Sequence, residues 1–76
     1  MSANINDLPI TVDREVMSGV PVFAGTRVPV SALLENLEAG VSLDDFLENF
    51  PTVTREQAVR ILEHFRSSID ELSLAA

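Results

Sequence analysis

Phe23-Ala24-Gly25-Thr26-Arg27-Val28-Pro29-Val30, FAGTRVPV, sets Gly-Thr-Arg between two apolar runs and follows it with a proline. A phosphate-cradling loop needs a strand, several glycines and then a helix N-terminus that presents free N–H groups. Here one glycine leads into Val-Pro-Val, a strand-like sequence, so the stretch predicts a β-hairpin turn instead. With Gly25 and Thr26 as the central pair, Gly25 would take the positive φ of a type II′ turn. Ala24 would then face Arg27, and Phe23 would face Val28. Thr26 would bond locally, and Arg27 would reach a carboxylate such as Asp13 or Glu15, for which its planar fork is suited. Pro21 and Pro29 lack N–H donors, so the ribbon must be short or lie at an edge.

Outward from the turn, Ile10-Thr11-Val12 alternates as a short strand, and 13–19 reads as a loop. Helical spacing begins near Val30, with Leu33, Leu34 and Leu37 on one face and Gly40 as the residue after the helix. Ser42 starts a second helix with Asp45 three residues on, a carboxylate suited to the positive helix end. Leu43, Phe46, Leu47 and Phe50 form its apolar face, and Pro51 stops it. Thr54 and Gln57 have capping-box spacing at the head of a third helix. Its stripe runs Ala58, Ile61, Leu62, Phe65, Ile69, Leu72, with fraying expected around Ser67 and Ser68. The fold class is therefore α+β, mostly α: a short N-terminal β-hairpin or small sheet followed by a three-helix, helix-turn-helix-like bundle. Residues 1–76 form a single domain, with a core over 10–66 and flexible ends at 1–9 and 67–76.

Composition narrows the function. Seventy-six residues without cysteine must rely on packing, and 46 % apolar residues can supply it. Small domains without staples often gain stability by association, so a homodimer is expected. Val20, Val22, Val28 and Val30 on the ribbon, or Ile69 and Leu72 with Leu74 beyond, are the candidate dimer contacts. The net charge is −7, and 31–50 hold Glu35, Glu38, Asp44, Asp45 and Glu48 with no base at all. Asp44, Asp45 and Glu48 are the candidate contacts for a basic partner. Arg55, Gln57, Arg60 and His64 on the third helix are the candidate DNA-facing residues, since arginine and glutamine suit base edges. The charge of the preceding helix disfavours that use. The alternative for this face is a set of pairs, Glu56–Arg60, Glu63–Arg66 and Arg66–Asp70. His64 has no ligand-type neighbour one turn away, so no metal or cofactor is expected. No carboxylate pair or nucleophile elbow suggests an enzyme. The N-terminus lacks signal-peptide character and no apolar run would span a membrane, which points to the cytoplasm.

GVPVFAGTRVPV at 19–30 and LLENLEAGVSLDDFLENFPTVTREQAVRILEHF at 33–65 resemble domain-of-unknown-function family 433. The matching signature is Gly-x-Pro-Val, then Gly-Thr-Arg-hydrophobic-Pro-Val, then an aromatic-Pro pair ahead of the last helix. The resemblance implies a helix-turn-helix-like fold without catalytic residues. It also implies an antitoxin of VapB type that neutralises a PIN-like ribonuclease toxin. The alternatives are a DNA-binding autorepressor, a role that can coexist with the first in one antitoxin, and a dimeric scaffold without a toxin. The sequence departs at Val20, where members often carry a basic residue, which removes a nucleic-acid contact from the loop.

Overall fold

The computed structural model describes residues 8–72. Strand β1 (Ile10–Thr11) pairs antiparallel with β2 (Val22–Phe23), Ile10 opposite Phe23 and Thr11 opposite Val22. On its other side β2 bridges to Pro29, and the Val30 N–H donates to the Pro21 carbonyl at 3.0 Å. The ribbon is only this long because Pro21 and Pro29 have no N–H to extend it. Three helices follow: α1 (Val30–Glu38), α2 (Leu43–Asn49) and α3 (Arg55–Asp70).

The turn forms one residue earlier than its sequence suggests. The Thr26 N–H donates to the Phe23 carbonyl at 3.0 Å, so Ala24 and Gly25 are the central pair. Gly25, at φ +77°, therefore sits third in the turn, the type II arrangement rather than II′. The side chain of Thr26 explains the shift. Its hydroxyl donates to the Phe23 carbonyl at 2.8 Å and accepts from the Val28 N–H at 3.0 Å, in place of a backbone rung. The expected register survives, since the Phe23 N–H still donates to the Val28 carbonyl at 2.9 Å.

Helix boundaries follow the local signals. Ser42 caps α2 by accepting from the Asp45 N–H at 3.1 Å. Thr54 and Gln57 form both halves of the capping box, each bonding the other's backbone N–H. Gly40 follows α1 in the left-handed region, at φ +91°. The expected fraying at Ser67 and Ser68 is not seen, because α3 continues through them to Asp70. At the expected flexible ends, Leu8 packs on the core and α3 orders 67–70, while 1–7 and 73–76, Leu74 among them, lie outside the described residues.

The core gathers Phe23 from the ribbon, Val30 and Leu33 from α1, Phe46 from α2, Val53 from the α2–α3 turn, and Ala58 and Ile61 from α3. Phe46 is central: its ring lies 6.5 Å from that of Phe23 and 4.8 Å from that of Phe50. The loop from 13 to 19 is held by Asp13, whose side chain accepts from the Glu15 N–H at 2.8 Å. It then passes through three successive positive-φ residues, Met17 (53°), Ser18 (58°) and Gly19 (89°). Because Phe46 is fully buried in the core and packs against the rings of Phe23 and Phe50, Phe46→Ala should cost about 3–5 kcal/mol. Urea denaturation followed by far-ultraviolet circular dichroism should find this variant unfolded or nearly so at 25 °C, as the loss approaches a small domain's whole stability.

Candidate functional site

The residues expected to meet nucleic acid are engaged inside the chain. The carboxamide of Gln57 is used at both ends: its Oε1 accepts from the Thr54 N–H at 3.0 Å, and its Nε2 donates to the Ala24 carbonyl at 3.1 Å. The amide thus ties the first turn of α3 to the ribbon turn 33 residues away, which fixes its orientation toward the ribbon. Arg55 pairs with Asp44, joining α3 to α2 across the surface. Arg60 has an interaction partner as well. His64 is half-buried, with its Nδ1 enclosed by protein and unbonded and its ring 6.0 Å from that of Phe65. Of these four side chains, Gln57 serves a cap, Arg55 an ion pair with α2, and His64 packs beside Phe65.

The acidic segment is divided by the same geometry. Asp44 is committed to Arg55, although both remain largely exposed, 75 % and 60 %. Asp45 and Glu48 on α2 and Glu35 and Glu38 on α1 are exposed and make no ion pair among the described residues. Asp45 also lies in the first turn of α2, near the positive end of that helix.

Around the Gly25-Thr26-Arg27 turn lies an open depression lined by Thr11, Val16, Val28 and Thr52 as well. Arg27 is exposed there and forms no ion pair among the described residues. The expected pair with Asp13 or Glu15 is not formed; Asp13 accepts instead from the Glu15 N–H within its own loop. Similarly, Arg66 pairs with neither Glu63 nor Asp70. The turn itself is structural: Gly25 supplies the backbone bend, and Thr26 closes it.

The apolar residues also sort differently from the sequence reading. Val22 and Val30 are buried in the chain's own interior and Val28 packs against the core, so they leave the expected set of dimer contacts. Val20, Ile69 and Leu72 remain exposed. Between α1 and α3 the structure opens a groove of about 340 Å³ walled by Leu8, Val20, Val30, Leu34, His64 and Phe65. This groove was not read from the sequence. Leu34 and Phe65 sit on their helices' apolar stripes, but nothing local says that the two stripes part at this point. Among the described residues no three metal-binding side chains cluster, and no helix is long and apolar enough to cross a membrane.

A small antiparallel ribbon laid on a three-helix bundle, with its signature turn used for structure, defines a class of compact α+β domain. The chain belongs to DUF433, a family of proteins of unknown function, whose model matches residues 10–65. A crystal structure of a DUF433 member protein from Anabaena variabilis superposes with a TM-score of 0.68 at 22 % identity, over 88 % of this chain and 66 % of that one. The likeness establishes the fold. Uncharacterized protein y4eO of Sinorhizobium fredii is 35 % identical over 48 residues, 63 % of this chain. The chain spans only about a fifth of that relative, since the match covers 22 % of it.

The site makes a sharp division by magnitude. An exposed ion pair such as Arg55–Asp44 contributes about 0–1 kcal/mol. The Gln57 amide carries a cap and a partly buried bond together, about 1–2 kcal/mol. Gln57→Ala should therefore lower the urea midpoint clearly, while Arg55→Ala leaves it within about 0.5 kcal/mol of the parent. Comparable losses from both would contradict the structural role assigned to Gln57.

Proposed function

We propose that the chain is a small interaction protein, the antitoxin half of a pair, which binds a PIN-like ribonuclease and blocks its site. The observation that carries the reading is the row of exposed carboxylates on α1 and α2, Glu35, Glu38, Asp45 and Glu48, left unneutralised among the described residues. A surface of that sign suits a groove built to hold RNA, whose basic walls attract carboxylates as they attract phosphates. The chain works by occlusion, so it needs no catalytic residue or cofactor of its own, and a partner of that kind places it in the cytoplasm. It acts as a homodimer, which doubles the acidic surface presented to the partner.

The other reading, a helix-turn-helix autorepressor, has less support. Gln57, Arg55 and Arg60 already have partners, and the exposed acids of α2 would lie where a preceding helix crosses the phosphate backbone. A gel shift with the chain's own upstream DNA, at low and at physiological salt, distinguishes the two. A dimeric scaffold without a toxin would bind neither DNA nor ribonuclease.

The decisive experiment reads the neighbouring gene and, where it encodes a PIN-like ribonuclease, adds purified chain to that enzyme and follows RNA cleavage; a neighbour of another kind would count against the reading. Stoichiometric chain should abolish cleavage, and binding should weaken steadily as salt rises and screens the contact. Asp45→Asn with Glu48→Gln should weaken binding about tenfold, mainly through slower association. Cleavage unaffected by excess chain would refute the reading, as would binding indifferent to both salt and the double substitution.

A further inference from the structure

We propose that the end of α3 and the turn that follows it are where two copies meet: the face bearing Phe65 and Ile69, continued by Leu72 just past the helix, packs antiparallel against the same face of a second chain, with the two-fold axis near Ser68 and Ile69. This rests on the reading that the chain acts as a dimer, and it names the surface. The apolar stripe of α3 is continuous, but its cover is not. Ala58 and Ile61 are buried, whereas Phe65, Ile69 and Leu72, at the same helical spacing, are 39 %, 66 % and 74 % exposed. The helix outruns the body that its first half packs on. A stripe that carries on past its own core leaves apolar surface for another chain to cover.

Three features identify that chain as a second copy. First, the stripe adjoins the groove between α1 and α3, and Phe65 belongs to both. An antiparallel register about residues 68 and 69 sets position 65 opposite position 72 of the other chain. Leu72 of each copy then enters the groove beside Phe65, Leu34 and Val20 of the other, a self-complementary contact of the kind two-fold symmetry requires. Second, the charges bordering the stripe fit the same register. Arg66 makes no ion pair among the described residues, although Asp70 lies one turn along its own helix. The two-fold brings Arg66 of one copy to Asp70 of the other along the same edge of the interface, twice per dimer. Third, the competing ribbon surface has lost two of its valines, Val22 and Val30, to the interior. The acidic stretch on α1 and α2 stays free for the ribonuclease.

The test uses the full chain in sedimentation equilibrium. The parent should be a dimer, and Ile69→Glu with Leu72→Glu should weaken self-association about a hundredfold or more. Far-ultraviolet circular dichroism should be unchanged, because both side chains are mostly exposed. Arg66→Asp alone should weaken the dimer, and adding Asp70→Arg should restore it, which a loss of apolar contact or of fold would not do. The chain has no cysteine, so a single introduced thiol reports geometry cleanly. Ser68→Cys should form a disulfide-linked dimer on mild oxidation, and Val12→Cys on the ribbon side should not. A dimer that persists through the double glutamate substitution overturns this interface while leaving the dimer reading in place. So does cross-linking by Val12→Cys in place of Ser68→Cys, or failure of the charge swap to restore association. A parent chain that stays monomeric at high concentration overturns the dimer reading itself.

Discussion

Two hydrogen bonds meet at the carboxamide of Gln57, one closing the first turn of α3 and one holding the carbonyl of Ala24 in the ribbon turn. The ribbon's two-residue strands are too short to be stable alone. What fixes them is attachment. The Ala24 N–H donates to the Pro9 carbonyl, the Ala24 carbonyl is held by Gln57, and the Phe23 ring between them is fully buried against the helices. Gly25 makes this possible, because its positive φ turns the Ala24 peptide so that the carbonyl can be reached.

From this attachment the character of the surface follows. Gly25, Thr26 and Gln57 at the head of α3 are used in shaping the ribbon turn and holding it to the bundle, while Arg27 stays exposed. Elsewhere the surface carries exposed acids along α1 and α2, and bare aliphatic side chains at the far end of α3. These two surfaces differ in chemistry. The first attracts at a distance and is weakened by salt, while the second acts only at contact and is not.

Local rules were legible in the sequence. Ser42, Thr54 and Gln57 announce their caps by spacing alone, and Gly40 and Pro51 mark where α1 and α2 end, because each acts within four residues of itself. The ribbon's register was legible as well, but the turn slipped by one residue because the Thr26 hydroxyl replaces a backbone rung, and side-chain bonds of that kind leave no periodic trace. The second use of Gln57 was out of reach, since its partner lies 33 residues away. So was the fate of the stripe on α3. Spacing gives the direction in which Phe65, Ile69 and Leu72 point, but not where the body beneath them stops. Val53 was missed for a similar reason: one valine in a turn has no periodicity, and only the closure of α2 on α3 buries it.

The loop between β1 and β2 has a consequence of its own. Met17 and Ser18 hold left-handed backbone angles that side chains disfavour, at about 1 kcal/mol or more apiece. Domains of this size keep only some 5–15 kcal/mol in reserve. A noticeable share of that margin is thus tied up in a short surface crossing, well away from the aromatic interior. A lineage adapting this domain to heat could gain there, by relaxing two peptide units, without touching the interior at all.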